Sequence, residues 1–244
     1  MEFKLPTETI ELPSKGLLYP EGHPLASGTV EMKYMTAKEE DILTNQNYIK
    51  NGTVIDKLLQ SLLVTEFDYS DLLIGDKNAI MVAARILSYG KDYSFEFNEQ
   101  PYTVDLSLIE NKDIDYSLFK RGQNEFSFTL PHAGHTITYK LLTHGDERKV
   151  EQEIKGLQKI NKDNIAEVST RLKHMILSVD GSSEKADVRK FVDNYLLAKD
   201  ARAFREEYGK ISPDLKLEFT YEDPQGADKE AAIPVGINFF WPDA

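Results

Sequence analysis

The chain has 244 residues, with 29 Lys and Arg against 41 Asp and Glu, for a formal net charge of −12. Phosphate backbones and anionic membrane surfaces repel such a surface, so neither nucleic acid nor a charged bilayer is an expected partner. Cysteine is absent, which excludes disulfides, thiol catalysis and thiolate-bound zinc or iron–sulfur clusters.

Hydrophobic residues make up 41% of the chain, with 12 Tyr and 12 Phe, enough for a sizeable core. The start, Met1-Glu-Phe-Lys-Leu-Pro6, has neither the basic segment nor the apolar run of a signal peptide. The longest apolar runs, such as Ile80-Met-Val-Ala-Ala84, are too short to span a bilayer. A cytosolic protein is the expectation.

Residues 1–35, punctuated by Pro6, Pro13, Pro20 and Pro24, read as an extended N-terminal arm ending in a strand at 29–34. Residues 36–142 read as a helical plus β-hairpin domain. Thr36-Ala-Lys-Glu39 is a capping-box pattern that opens a short helix from Ala37 to Leu43. Thr53 starts a second helix, with Ile55, Leu58, Leu59, Leu62 and Leu63 at helical spacing. Asp76 is placed to cap a third, and Gly90 to stop it. Alternation then predicts two hairpins, 93–97 with 102–106 and 125–130 with 136–141.

Residues 143–244 read as a helical domain ending in a β-hairpin. Helices are expected over 147–159, over 164–177 through Ile165, Val168, Leu172, Met175 and Ile176, around Val188 to Tyr195, and from Asp200 to about Gly209. Strands at 215–221 and 231–240 close the chain. The predicted fold class is α+β, with helical layers and two antiparallel hairpins.

Two segments resemble each other. Asp76 opens a helix ending at Tyr89-Gly-Lys91, followed by Phe95-Glu-Phe97. Asp200 opens one ending at Tyr208-Gly-Lys210, followed by Leu217-Glu-Phe219, and Leu73 and Leu197 lie three residues before each Asp. A duplicated helix–hairpin unit and the ordinary recurrence of Asp caps and Gly stops both account for this pattern.

Motifs for chemistry are sparse. There is no phosphate loop and no dinucleotide fingerprint, and Ile74-Gly-Asp-Lys-Asn78 reads as a helix start. His132 and His135 share a hairpin tip without a third ligand. Asp113 and Asp115 lie in a polar connection; with His132 they are the scattered polar residues that an alternative reading, a small hydrolase, would use. No catalytic residue, metal or cofactor is expected. Phe239, Phe240 and Trp241 are adjacent on the last predicted strand, so one face carries an exposed ring if the other is core.

Several pieces in order resemble the T-even-type phage baseplate hub assembly protein family. They are Leu12-Pro-Ser-Lys-Gly-Leu-Leu-Tyr19, Met35-Thr-Ala-Lys-Glu-Glu-Asp-Ile-Leu43, Asp71-Leu-Leu-Ile-Gly-Asp-Lys-Asn-Ala-Ile80 with Arg85-Ile-Leu-Ser-Tyr-Gly90, Phe128-Thr-Leu-Pro131, Val179-Asp-Gly181 and Phe239-Phe-Trp-Pro242. The family's zinc-ribbon knuckles carry Cys-x-x-Cys. Here the first is shortened to Asn98-Glu-Gln100 and the second is Glu222-Asp-Pro-Gln-Gly226, so metal binding does not carry over and the hairpins are degenerate ribbons. The resemblance implies a non-enzymatic assembly factor or minor subunit of a contractile tail, binding hub or tape-measure proteins, in the host cytoplasm during assembly or in the virion baseplate. A permanent structural subunit is the alternative, and self-association is left open. Leu17, Leu18 and Tyr19, the Leu72-Leu73-Ile74 turn, and Phe240 with Trp241 are the expected partner contacts, on the argument that these short segments hold more apolar residues than they can bury.

Overall fold

The computed structural model describes residues 5–160, 166–223 and 225–240. The N-terminal segment is not an arm. β1 (Thr7–Glu11) pairs antiparallel with β2 (Thr29–Lys33), and Leu12, Leu18, Tyr19, Leu25, Val30 and Met32 are all buried in the core. The prolines mark turns within that core rather than a free tether. The loop after Leu12 turns on Gly16, whose φ of 71° and backbone neighbours at Gly28 and Ala26 leave no room for a Cβ.

α1 (Ala37–Leu43) follows its capping box as expected. Glu39 is buried, accepting from the Thr36 amide at 3.0 Å and hydroxyl at 2.6 Å and from Lys33 Nζ at 2.9 Å. Burial alone would raise its carboxyl; the bonds from Thr36 and Lys33 outweigh it and hold the group at about 2. After α2 (Gln46–Lys50) and α3 (Val54–Leu62), Leu63 bridges to Met32, so a third strand-like segment lies beside β2.

α4 (Ile74–Tyr89) begins two residues before Asp76, with Leu73 as its N-cap. Asp76 is therefore not the cap. It lies fully buried in the first turn and takes Ser14 N–H at 2.9 Å, Ser14 Oγ–H at 2.7 Å and Tyr19 O–H at 2.7 Å. Burial pushes its carboxyl up, while those bonds pull it down. Gly90 ends α4 as expected, and the buried Arg85 guanidinium donates to the Gly90 and Asp92 carbonyls.

β3 (Asp92–Phe97) and β4 (Gln100–Asp105) form a hairpin closed by Asn98 and Glu99, both at positive φ, the twist a two-residue turn requires. β5 (Phe126–Thr129) and β6 (Thr136–Tyr139) form the next. β6 also pairs with β7 (Ile176–Val179), which places residues 126–142 with the second half of the chain rather than the first. β7 was read as helix because Met175 and Ile176 continue a helical spacing. α6 (Glu167–Met175) stops at Met175, where the chain joins the sheet; the expected start of that helix near Asn164 lies outside the described residues.

α5 (His144–Ile160), α7 (Lys185–Asn194) and α8 (Ala198–Ile211) complete the helices, and β8 (Glu218–Glu222) pairs with β9 (Asp228–Ala232). Gly209 sits inside α8 rather than ending it, so Tyr208-Gly-Lys210 and Tyr89-Gly-Lys91 are not equivalent stops. The β3–β4 hairpin packs on β8–β9 through aromatic edges, with Phe219 at 4.9 Å from Phe95 and 5.3 Å from Phe97. In the knuckle loop after β8, the Asp223 carboxylate accepts the Gln225 and Ala227 amides and pairs with Lys229 Nζ at 2.7 Å.

The two halves each run from a strand pair through helices to a closing hairpin, and their first strand pairs share a register. Ile10 opposes Val30 as Phe128 opposes Ile137, and Glu8 opposes Met32 as Phe126 opposes Tyr139. Leu12-Pro13 and Leu130-Pro131 each lead to a glycine at positive φ, Gly16 and Gly134. Lys33, Thr36 and Glu39 correspond to Lys140, Thr143 and Asp146, joined by the same bonds. Asp200 is buried in the first turn of α8 and accepts His132 N–H at 2.9 Å and Ala133 N–H at 3.0 Å, as Asp76 holds Ser14. Leu73 and Leu197 cap α4 and α8 with nearly identical backbone angles.

Asp76→Ala strands two hydroxyl donors and an amide in the core; the expected cost is about 2–4 kcal/mol. Asp200→Ala frees only two amides on a turn whose His132 is exposed, and is expected to cost about 1–2 kcal/mol. Urea unfolding of both variants measures the difference. An equal loss, or a larger one for Asp200→Ala, would contradict this ranking.

Candidate functional site

An apolar cleft lies where the two halves meet, with a volume of about 390 Å³. Its floor is Leu73 from the first half and Leu141, Leu142, Leu172 and Met175 from the second, all buried. Ile74 and Val168 stand nearer the mouth. Gly75 closes one end: a Cβ there would fall 1.8 Å from the Pro213 carbonyl oxygen, so α4 meets the 213–214 segment only because position 75 lacks a side chain. Asn78 Nδ2 donates to Asp214 Oδ1 at 2.9 Å and fixes that approach.

The rim is charged but largely self-paired. Arg171 is hydrogen-bonded to Glu147, and Lys112 lies 3.8 Å from Asp214. Arg205 donates to its own helix at Ala201 O. Tyr208 lines the wall; burial pushes its hydroxyl up to about 12, so it stays protonated. Its oxygen accepts the Leu142 amide at 2.9 Å, which leaves its hydrogen free to donate. The site is a concave apolar surface with few polar groups, within the usual ~300–1,000 Å³ of binding clefts.

The expected contacts divide unevenly. Leu18, Tyr19, Leu72, Leu73 and Phe240 are buried, and so cannot form an exposed anchor. Tyr19 is a structural group: its hydroxyl donates to Asp76 and accepts the Leu73 amide at 3.0 Å, and burial raises it far above the phenol range. Leu17 is half-buried, and its carbonyl accepts Gly122 N–H at 2.8 Å. Only Leu73 and Ile74 reach the cleft. Phe239 and Phe240 lie on a 3-10 turn, not a strand, which lets adjacent rings both point inward. Trp241 lies outside the described residues. Leu172, Met175 and Tyr208 were missed as site residues because their spacing reads as core; nothing local distinguishes a cleft floor from a core.

The polar residues singled out for chemistry do not assemble. Asp115 caps a 3-10 turn by accepting Ser117 N–H and Oγ–H, Asp113 is exposed, and His132 is exposed on the turn that Asp200 holds. No hydrogen bond or ion pair joins the three among the described residues. Among those residues no cluster of three His, Asp or Glu could hold a metal ion.

One titratable cluster was not foreseen. Lys77 Nζ binds Asp56 Oδ1 at 2.6 Å and lies 3.4 Å from His144 Nδ1, whose Nε2 is 3.6 Å from Asp56 Oδ2. Tyr69 O–H donates to Asp56, and its ring meets His144 edge-on at 4.7 Å. The lysine neutralises the aspartate and faces the imidazole, so the group ties α3, α4 and α5 together instead of activating a nucleophile.

His144 titrates below its ordinary 6.5, first because burial disfavours its charge; Asp56 opposes this and Lys77 reinforces it. The unfolded chain therefore takes up the proton before the folded one does. Stability is complete above pH 6.5 and falls as pH drops from there toward the folded value. His144→Gln is expected to flatten that part of the pH–stability curve. An unchanged slope in the variant would remove His144 as its source.

No helix among the described residues is long and apolar enough to cross a membrane. Comparison with protein families, curated proteins and solved structures finds no match to this chain.

Proposed function

We propose that this chain is a non-enzymatic binding protein that holds an apolar segment of a partner protein in the cleft between α6, α8 and the start of α4. The supporting observation is the pairing of apolar floor with self-satisfied rim. Arg171 and Lys112 are matched by Glu147 and Asp214, and the other two charged lining residues, Arg205 and Glu167, are of opposite sign, so the rim carries no net charge to orient a small ionic ligand. The excess of acids over bases disfavours an anionic one further. An amphipathic helix or extended segment that inserts apolar side chains and offers a carbonyl to Tyr208 suits the remaining chemistry.

The partner we propose, on the motif resemblance, is a hub or tape-measure component of a contractile phage tail baseplate, met during assembly. Several of those motifs have a structural use here. Leu12–Tyr19 and Asp71–Ile80 meet at the Asp76 clamp, and Phe128–Pro131 leads into the turn held by Asp200. They support the fold on which the cleft is built.

Val168 is exposed at the cleft mouth, and Arg205 is exposed on its rim, so both can be changed without opening the core. Co-expression with hub and tape-measure proteins, affinity capture and mass spectrometry test the proposal. Val168→Glu with Arg205→Glu is expected to abolish partner capture and leave the melting temperature within a few degrees of the parent. Capture that survives both changes would exclude the cleft. Recovery of the chain from purified particles would make it a permanent subunit instead of a transient factor.

A further inference from the structure

The joint between the two halves is built from two unlike surfaces. One is the turn Leu72-Leu73-Ile74 that leads into α4; the other is Leu142-Thr143-His144 that leads into α5. His144 N–H donates to Leu72 O at 2.8 Å and Ile74 N–H to Leu142 O at 3.4 Å, with Leu73 opposite Thr143 in an antiparallel bridge. The contact leaves Leu72 0% and Leu73 5% exposed.

Each half carries both surfaces, so a single joint uses one of each and leaves one of each open. The second docking turn is Leu196-Leu197-Ala198. Leu197 caps α8 at φ −63°, ψ 143°, against −62°, 146° for Leu73, so it presents the same edge. It is open among the described residues: Leu197 is 50% and Tyr195 57% exposed. The second receiving turn is Met35-Thr36-Ala37. It is shaped by the Lys33–Thr36–Glu39 bonds just as Thr143 is shaped by Lys140 and Asp146. Ala37 and Lys38 beside it are exposed.

We propose that a second copy of this chain covers the open docking turn. The Met35–Ala37 turn of one molecule pairs with Leu196–Ala198 of the next, repeating between molecules the joint each makes within itself. The bridge partners are Leu197 and Thr36, flanked by bonds from Ala37 N–H to Leu196 O and from Ala198 N–H to Met35 O. Because the two surfaces differ, the contact is head-to-tail and closes into a ring or runs as a filament. One of the differences between the two joints lies on its flank. Gly145 lets Ser70 approach so closely that an added Cβ would lie 2.8 Å from Ser70 Cβ, and its counterpart in the first half is Lys38. The joint between molecules is therefore more open on that flank than the internal one. Like net charges also oppose it, so association rises with protein concentration and with salt. This inference does not rest on the cleft or its partner.

The natural absence of cysteine makes the test direct. Partners in a bridge flanked by such bonds have Cα atoms about 4.5 Å apart, within disulfide reach. Leu73→Cys with Thr143→Cys is expected to close within one molecule and serves as the geometric standard. Leu197→Cys with Thr36→Cys is expected to give a ladder of covalent oligomers on a non-reducing gel. Its yield should be several-fold above Val168→Cys with Thr36→Cys, which pairs the receiving turn with an exposed site outside the joint. Sedimentation of the parent chain should show mass rising with concentration, and Leu197→Asp should hold it at the monomer. A ladder no stronger than the control pair, while the internal pair closes, overturns the proposal; so does a parent chain that stays monomeric at the highest soluble concentration. Cross-linking through Leu197→Cys only to a co-expressed hub protein also overturns it in favour of a different occupant. Capture through the cleft that persists while the ladder fails would leave the proposed function standing and remove this inference alone.

Discussion

The fold depends on a buried carboxylate. Asp76 gathers an amide and two hydroxyls from the Leu12–Tyr19 loop into the first turn of α4. A lone buried carboxylate is costly; three donors and the positive end of the helix dipole offset part of that cost, and burial still raises its carboxyl. The same bonds seat Leu18 and Tyr19 in the core, and Tyr19 then accepts the Leu73 amide, which sets the angle at which α4 starts. Since Leu73 also forms the cleft floor and the joint between halves, the clamp determines both.

The cleft lies between two halves with similar turns and strand registers. Neither half contains it alone: Leu73, Ile74 and Gly75 come from the first, and Leu141, Leu142, Leu172, Met175 and Tyr208 from the second. Where the halves touch, the first contributes a docking turn and the second a receiving turn. The space between α4 and the α6–α8 pair is what that contact leaves unfilled. The Asp56–Lys77–His144 group locks the other side of the same joint. The two open turns have no counterpart of this lock, because Ala37 stands where His144 does and Ala201 where Lys77 does.

The two hairpins are held by local turn chemistry and by aromatic packing. The first closes on Asn98 and Glu99, both at positive φ. In the other, the Asp223 carboxylate collects the Gln225 and Ala227 amides and pairs with Lys229. Phe95, Phe97, Phe219 and Tyr221 then pack the two hairpins together.

Local patterns in the sequence determined the elements whose signal is local. The capping box set α1 at Ala37–Leu43, alternation set β3 to β6, and Gly90 marked the end of α4. The total absence of cysteine settled the lack of thiolate chemistry without any structure. Tertiary structure decided the rest, for one reason: burial and pairing are set by residues far away in the chain. Asp76 and Asp200 looked like helix caps because a cap is the nearest use for an Asp; their real partners are 62 residues away at Ser14 and 68 at His132. Ile176 continued a helical period until β6 claimed it as a strand. Leu18, Leu72 and Phe240 looked exposed because short apolar segments cannot bury themselves. Distant parts of the chain cover them: the Leu72 turn meets Leu142–His144, and the turn that carries Phe240 packs on α4.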